Sequence, residues 1–307
     1  MKQLYYSLPQ YLKDTFGRKL YKVALETGMT CPNRDGKVAV GGCIFCGEGG
    51  SGDFAIYYEG KRLSREELIY NHQEIPKGDY IAYFQSFTNT YAPTSKLREI
   101  FTAALEDDLF AGISIATRPD CLGKDVLELL KELKEKYINK FIWVELGLQT
   151  IHESTAKWMN RGYPLEVFDE AIKNLKAIHI EVIVHIIIGL PGEDQKMLLE
   201  TIQHLNACQI DGVKLQLLHY LKNTRLGVQY LSNPSQYHVL EMDEYVELVT
   251  ECIAHLDEHI VIHRLTGDGN AEDLIAPLWS TDKRRVLNLI NHMLKIKSYT
   301  QGCKLSK

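Results

Sequence analysis

The feature that most constrains the fold is a series of short apolar segments, rich in β-branched residues, that alternate with amphipathic segments. Six candidate strands lie at residues 21–25, 80–85, 112–117, 141–148, 181–189 and 212–218. From the second strand onward the starts are about 30–40 residues apart, the length of one βαβ unit. Residues 182–184 and 186–188 are continuously apolar, as in parallel strands buried on both faces. This pattern predicts an α/β fold, a partial (β/α)6 barrel, with a doubly wound open sheet as the alternative.

The pattern loosens after residue 218. Residues 219–240 are predicted to form a polar loop, followed by a helix at about 243–259, a possible strand at 260–265 and a basic helix at about 282–295. No stretch is rich enough in Gly, Pro or Ser to mark an independent domain. We therefore predict a core barrel with an N-terminal extension at residues 1–225, and a partly helical C-terminal extension at 226–307.

Apolar runs and cysteine usage predict the cellular compartment. No apolar run reaches the ~20 residues that span a bilayer, and the longest, residues 180–190, is interrupted by Glu181 and His185. The N-terminus lacks the apolar segment of a secretory signal. Seven cysteines without paired spacing suit a reducing compartment better than a disulfide framework. We expect a cytoplasmic protein that does not enter the membrane.

Charge is unevenly distributed along the chain. The net charge is −5, yet residues 281–307 contain seven Lys or Arg residues against one Asp, a net +6. A basic end of this kind can contact the phosphates of a nucleic acid. The alternative is that it forms only a solvated helix face and tail.

Three cysteines, Cys31, Cys43 and Cys46, are the strongest candidate metal ligands. Closed structural zinc sites have four protein ligands, whereas three thiolates leave one coordination position open for chemistry. The chain has no second Cys-x-x-Cys and no closely spaced His pair to complete a zinc site. Soft sulfur ligands suit either zinc or an iron–sulfur cluster, and the local spacing leaves both open.

Polar residues follow the predicted strands at their carboxyl ends, where barrel proteins place their active sites. A lone His in an apolar strand such as His185 is equally compatible with a core position, and His219 directly follows a strand end. Together these positions predict one binding mouth. Its candidate residues are Gln85, Ser86, Thr88, Glu145, Gln149, His185, Gly189, Leu218, His219, Tyr220 and Lys222.

Several of these segments resemble the radical S-adenosylmethionine (radical SAM) superfamily. Cys-Ile-Phe-Cys at 43–46 resembles the end of its cysteine motif, and Ile-Gly-Leu-Pro-Gly-Glu at 188–193 resembles its fifth-strand segment. Gly-Leu-Gln-Thr at 147–150, Asn-Arg-Gly at 160–162 and Thr-Arg-Pro-Asp at 117–120 are similar to elongator-type sequences, and the first two also to oxygen-independent coproporphyrinogen dehydrogenases. Overall the chain most resembles the YhcC/YtqA-type family of bacterial radical SAM proteins.

The resemblance implies a radical SAM barrel in which Cys31, Cys43 and Cys46 hold a 4Fe–4S cluster. An external donor such as flavodoxin or ferredoxin would supply the electron that cleaves S-adenosylmethionine (SAM) to methionine and a 5′-deoxyadenosyl radical, which then abstracts hydrogen from the substrate. Gln149 and Arg161 would orient the methionine carboxylate, Arg161 by bidentate pairing. Gly189 would lie near the adenine. The other SAM contacts assigned in this way are Gln85, Ser86, Thr88 and Leu218.

The chain departs from the common superfamily pattern at three points. Eleven residues separate Cys31 from Cys43, where three are usual. The Gly-Gly-Glu-like segment that receives the methionine amino group is replaced by Gln-Ser-Phe-Thr at 85–88. Ala116 stands where related enzymes often have Glu. These departures leave the partners of the methionine amino group open.

The elongator-type similarity favours a modified wobble uridine in tRNA as the substrate, with residues 281–307 as the phosphate-binding surface. Glu145, His185 and His219 are the candidate catalytic residues. A small metabolite or a peptide is the alternative substrate. A zinc-stabilised barrel that binds RNA or a protein partner, without radical chemistry, is the alternative function.

Overall fold

The polypeptide forms one large sheet in which all neighbouring strands are parallel. The computed structural model describes residues 3–47, 49–50, 55–64, 67–68, 79–267 and 271–305. The strand order is β2-β1-β3-β4-β5-β6-β7-β9, and β8 and β10 form a separate antiparallel pair. The strands are β1 (Leu20–Glu26), β2 (Ile56–Tyr57), β3 (Asp79–Phe84), β4 (Phe110–Thr117), β5 (Phe141–Gln149), β6 (Glu181–Ile188), β7 (Gly212–Leu217), β8 (Tyr220–Leu221), β9 (Val261–Arg264) and β10 (Leu274–Ala276).

The order of the six central strands distinguishes the two predicted architectures. From β1 through β3 to β7 the spatial order follows the chain, without the reversal that defines a doubly wound sheet. Within the described residues β2 and β9 are the sheet's two outer strands and do not pair with each other, so the sheet is open. The α/β prediction is confirmed, and the six sequential strands correspond to the arc of the predicted partial barrel.

Amphipathic helices connect the strands and cover one face of the sheet. In α3 the apolar residues recur every three or four positions, so Val126, Leu130 and Leu133 are buried together in the main core. Each such leucine stabilises the fold by about 1.5–3 kcal/mol relative to an exposed position. The helices are α1 (Leu8–Phe16), α2 (Thr94–Glu106), α3 (Lys124–Lys136), α4 (Glu153–Trp158), α5 (Leu165–Ala177), α6 (Gln195–Ala207), α7 (Arg225–Ser232), α8 (Met242–His255) and α9 (Lys283–Ile296).

The other face of the central strands is arranged in three layers, because side chains two residues apart point to the same side of a strand. The basal layer is apolar and packs against α1, whose Leu12 belongs to the same buried cluster. Its strand residues are Leu20, Ile81, Gly112, Trp143, Ile183 and Gly212. The polar layer lies two residues further along each strand and consists of Lys22, Tyr83, Ser114, Glu145, His185 and Lys214. The rim layer, two residues further again, consists of Ala24, Gln85, Ala116, Gly147, Ile187 and Gln216.

Glycine is required in the basal layer where an aromatic side chain crosses it. A Cβ on Gly112 would lie 2.5 Å from the Phe141 carbonyl oxygen and 2.6 Å from its ring. The ring of Phe141 in turn stacks on Trp143, with centroids 4.4 Å apart. The amino-terminal end of the arc is therefore filled, and the polar and rim layers are left to line its other end.

The C-terminal segment differs from the prediction at residues 219–240, where a polar loop was expected. It contains β8, α7 and a short 3-10 helix at Pro234–Gln236. The Thr224 side chain accepts a hydrogen bond from the Gly227 amide and starts α7, and Leu226 is fully buried. The rest of α7 is largely exposed and mixes polar residues with Val228 and Leu231, so the apolar residues of the sequence do not single out the buried face of the helix.

Elements further along the C-terminal segment follow the prediction more closely. The helix expected at about 243–259 is Met242–His255, and the strand β9 and the helix α9 are confirmed. The strand β9 joins the main sheet beside β7, so this segment shares the sheet of the core. The division at residue 225 stays a prediction.

No helix within the described residues combines the length and the apolar character needed to cross a bilayer.

Candidate active site

A cavity of about 250 Å³ lies at the carboxyl ends of the central strands, over the polar layer. It brings together nine of the residues predicted from the sequence, which are Cys31, Cys43, Cys46, Gln85, Thr88, Glu145, Gln149, Arg161 and His185. Arg118, from the elongator-type segment at residues 117–120, also lines the cavity. The sequence motifs did not assign several other lining residues to the site, which are Arg34, Tyr83, Tyr163, Lys214, Gln216 and Arg264.

The loop that carries the three cysteines is held by backbone and amide hydrogen bonds to the segment after α4. The Asn33 side chain donates to the Asn160 carbonyl oxygen at 2.6 Å and lies 3.6 Å from the Cys43 sulfur. The Asn160 side chain donates back to the Gly42 carbonyl at 2.8 Å. The Ile44 amide donates to the Met159 carbonyl at 3.0 Å. These bonds fix the cysteines beside Arg161, although more than 110 residues separate the two segments.

Arginines favour thiolate character at the cysteine pair. The Cys43 thiol, as hydrogen-bond partner, and the cationic Arg34 and Arg118 lower the pKa of Cys46 to about 7, against the effect of its burial. The same hydrogen bond and burial hold the pKa of Cys43 well above its usual range. The two sulfurs therefore share a proton, which a metal centre replaces on binding because thiolates are the metal ligands.

The three cysteines line one cavity, although their sulfurs do not all lie within 4.8 Å of one another. Among the described residues, the only group of three His, Cys, Asp or Glu ligand atoms within 4.8 Å of one another is Asp169, His204 and Cys208, on α5 and α6. The residues present fit an iron–sulfur cluster because three soft sulfur ligands line one cavity and leave a coordination position open.

The backbone is strained around this cavity. Phe87, Gln149 and Asn160 adopt left-handed conformations, with φ of 59°, 66° and 58°. Gln149 also follows a register shift in the pairing of β5 with β6. A Cβ on Gly147 would lie 2.7 Å from the Gln149 side-chain nitrogen. The bulge and the glycine thus let Gln149 fold back over the rim of the cavity.

The side chain of Arg161 is 1% exposed and is engaged by the protein itself. It donates to the carbonyls of Tyr163, Leu148 and Thr150 at 3.0, 3.2 and 2.7 Å, and to the Glu153 carboxylate at 2.8 Å. Four of its five N–H groups are used in these bonds. A bidentate pairing with a cofactor carboxylate, as expected from the resemblance, would require one of them to break.

Glu145 is the centre of the polar layer. One carboxylate oxygen accepts from Lys22 and Ser114, both at 2.6 Å, and the other accepts from His185 at 2.7 Å and from Lys214. All four acceptor positions of the carboxylate are occupied. Burial alone would raise the pKa of Glu145, but Lys214 and Lys22 hold it well below its usual range. Glu145 is therefore an ionised anchor for the layer.

Burial lowers the pKa of the two basic groups His185 and Lys214 beside Glu145, whereas it tends to raise the pKa of the carboxyl group. It lowers the pKa of His185 to about 4, an effect that the nearby Lys214 ammonium reinforces. Burial also lowers the pKa of Lys214 to about 7, although Glu145 opposes this. His185 is consequently neutral at physiological pH and donates its Nε2 proton to the carboxylate.

The remaining predicted residues do not line this cavity. Ser86 is buried beside it, and Gly189, with φ of 89°, lies against Leu240 in a neighbouring depression. Leu218 is buried in an apolar cluster with Ile44 and Met159. His219 lies against Gly267. Tyr220 packs on Tyr230 and Tyr237, and Lys222 donates to the Glu272 carbonyl at 2.8 Å.

A βα arc that gathers three cysteines and a polar floor at its carboxyl end defines a class of enzyme built around a sulfur-ligated cluster. The Radical SAM superfamily model matches residues 26–205, and the Radical_SAM C-terminal domain model matches residues 210–295. The chain belongs to the radical SAM superfamily. Members of this family are enzymes that use a 4Fe–4S cluster and SAM, so the zinc-stabilised alternative is set aside.

Two relatives that align over most of their length support this assignment, and a solved structure shares the fold. The uncharacterized protein YtqA of Bacillus subtilis (strain 168) is 44% identical over 300 residues, covering 97% of this chain and 92% of that protein. The protein YhcC of Escherichia coli (strain K12) is 32% identical over 273 residues, covering 89% and 86%. The archaeal Methanocaldococcus infernus Elp3 structure has a TM-score of 0.65 at 16% identity, covering 92% of this chain and 65% of that one. The TM-score shows that the two proteins share a fold. This chain spans slightly less than two thirds of the length of that structure.

Proposed function

We propose that this enzyme modifies the C5 side chain of a wobble uridine in tRNA by radical chemistry. The observation that carries the proposal is that the elongator-type segments of the sequence converge on one cavity. Arg118, Gln149 and Arg161, from three such segments, line it together with the three cysteines. The substrate base would enter this cavity and the tRNA backbone would bind outside it.

We assign the cluster to Cys31, Cys43 and Cys46. When bound, the cluster and SAM supply a 5′-deoxyadenosyl radical that abstracts hydrogen from the substrate. The protein's part is to hold the reactants apart from water and in register. Arg34 and Asn33 contribute by fixing the cysteine loop, since Arg34 donates to the Cys46 carbonyl at 3.2 Å and Asn33 contacts Cys43. An external reductant such as flavodoxin or ferredoxin would supply the electron.

SAM would bind on the rim layer, between the cysteines and the strand ends. Gln85, Thr88 and Gln149 present uncharged hydrogen-bonding groups there. Arg161 acts chiefly as a positioning residue, because three of its bonds hold the backbone of residues 148–150 and 163. Its one uncommitted N–H remains available to the methionine carboxylate.

The phosphate-binding surface is narrower than the charge count suggests. Lys297 pairs with Glu247 and Glu251. Lys304 donates to Glu251 at 2.7 Å, so these two carboxylates largely neutralise the two lysines. Lys283, Arg284 and Arg285 are exposed in the first turn of α9. These three residues, the α9 basic triad, are the proposed contact with tRNA phosphates.

The test is a comparison of tRNA nucleosides from cells with and without the gene. We expect one modified uridine to disappear and a precursor to accumulate, and expression of the wild-type chain, but not of Cys43→Ala, should restore the product. Identical nucleoside profiles with and without the gene would refute the tRNA substrate while leaving the radical SAM assignment intact.

A further inference from the structure

The polar layer beneath the cavity contains more positive than negative charge. The Glu145 side chain is 0% exposed and that of Lys214 is 3% exposed, so neither charge is solvated by bulk water. Lys22, on the opposite side of Glu145, shares the same carboxylate. Because His185 is neutral, the charged groups here are two lysines, of which Lys22 is 20% exposed, and one carboxylate.

Glu145 cannot supply further compensation. Its four acceptor positions are already used by Lys22, Ser114, His185 and Lys214. When both lysines are protonated one positive charge is left over, and on the 3%-exposed Lys214 that charge is costly unless an anion binds it. The lowered pKa of Lys214 has the same origin, since burial disfavours its charged form.

Lys214 also retains a hydrogen-bond donor on the cavity side. Its ammonium donates to Glu145 and to the Tyr83 hydroxyl at 3.0 Å, which uses two of its three N–H groups within the described part of the chain. Lys214 lines the cavity together with Tyr83 and Gln216, whereas Lys22 does not. An unused donor on a buried cation facing an open cavity is a binding group for an anion.

We propose that Lys214 binds an anionic group of the substrate, a carboxylate or a phosphate, inside the arc. This inference rests on the proposed function and specifies the substrate of the same site as negatively charged next to its reacting carbon. The anionic group of the substrate would lie deeper in the cavity than the methionine carboxylate of SAM. Lys214 lies in the polar layer on β7, one layer below the rim residue Gln216 of the same strand. Gln216 and Tyr83 line the same cavity beside the lysine.

The test identifies the compound that accumulates without the gene and asks whether Lys214 is needed to convert it. Small molecules and tRNA nucleosides are compared by mass spectrometry in deletion cells and in cells complemented with wild-type or variant chains. Digestion with and without phosphatase separates the two sources of negative charge, because a phosphate ester is removed and a carboxylate persists. The variants are Lys214→Met, Lys214→Arg and, as a matched control, Lys176→Met, which removes a lysine paired with Asp211 outside the cavity.

Lys214→Met should retain wild-type iron content, because Glu145 keeps Lys22, Ser114 and His185 as partners. With the purified enzyme and the accumulated compound, its kcat/KM should fall about 10-fold to 100-fold, the worth of a charge-assisted hydrogen bond. Lys214→Arg keeps the charge and should retain more activity than Lys214→Met at equal iron content. Lys176→Met should behave as wild type.

Each outcome decides the inference separately from the proposed function. An anionic nucleoside supports both, whereas an anionic free metabolite supports the inference and refutes the tRNA substrate. An accumulated compound that carries neither a carboxylate nor a phosphate group overturns the inference even if it is a nucleoside. Full activity of Lys214→Met, or equal loss in folded Lys214→Arg and Lys214→Met, also overturns it.

Discussion

Replacement of Arg161 separates two candidate roles of this buried arginine, cofactor contact and backbone positioning. In Arg161→Ala the carbonyls of Leu148, Thr150 and Tyr163 lose their donor in a buried environment, and Glu153 loses its ion-pair partner. Each buried acceptor left without a partner costs about 1–3 kcal/mol. Some relaxation and water entry will offset this, so we expect a total loss of about 3–5 kcal/mol.

The assay is the melting midpoint of anaerobically reconstituted protein, together with SAM affinity measured by equilibrium dialysis. At about 2 °C per kcal/mol for a chain of this size, the midpoint of Arg161→Ala should fall by roughly 6–10 °C. Glu153→Gln is the matched control. The Glu153 side chain is 44% exposed, so weakening this ion pair should cost about 1 kcal/mol or less.

One pattern of results would refute the positioning role of Arg161. If Arg161→Ala melts like the wild-type protein but binds SAM at least about 10-fold more weakly, the guanidinium is a direct cofactor contact and its internal bonds contribute little. If both quantities change together, the positioning role holds, because a displaced 148–150 segment carries Gln149 with it.

Further predictions concern the cysteines, the α9 basic triad and the polar layer. Cys43→Ala should lose the cluster and all SAM cleavage, whereas Cys303→Ala should keep wild-type iron content, as measured by iron analysis. Neutralising the α9 basic triad should reduce the slope of log affinity for tRNA against log salt by about 2–3, and an unchanged slope would exclude it as the contact. Neutralising the two lysines paired with Glu251 should lower stability without changing that slope. Because burial and Lys214 lower the pKa of His185 from 6.5 to about 4, the stabilisation from its neutral ring is complete above about pH 6.5 and is lost as the pH falls through about 4. The melting midpoint should therefore fall more steeply between pH 6.5 and 4.5 in the wild type than in His185→Gln.

The sheet was predictable because its strands are buried on both faces. Continuous apolar runs such as residues 182–184 have few alternatives to a parallel strand, and the spacing of the runs imposes a helix between them. The helix α7 was missed because only one of its faces is buried, against the cysteine loop, and the loop's position depends on contacts across more than 150 residues. The strand pattern thus predicts the sheet and its connecting helices, but not the long-range contact between α7 and the cysteine loop.

The site residues that belong to short sequence motifs were predictable. Those that reach the site only because neighbouring strands bring them to the same layer of the sheet were not. Cys43 and Cys46 follow from their spacing, and Gln149 from its place at a strand end. Lys214 carries a usable signal, since it is a charged residue in an apolar strand, two positions before Gln216. Its role still required the structure, because only the registers of β5, β6 and β7 bring it to the same carboxylate as His185.

The most direct test of the central claim is anaerobic reconstitution of the wild-type protein followed by reduction in the presence of SAM. The account predicts about four irons per chain, a broad absorption near ~400 nm and formation of 5′-deoxyadenosine. It also predicts that single alanine replacements of Cys31, Cys43 or Cys46 lose all three signals. A colourless protein that binds one zinc per chain, or a fully loaded protein that leaves SAM intact after reduction, would contradict it.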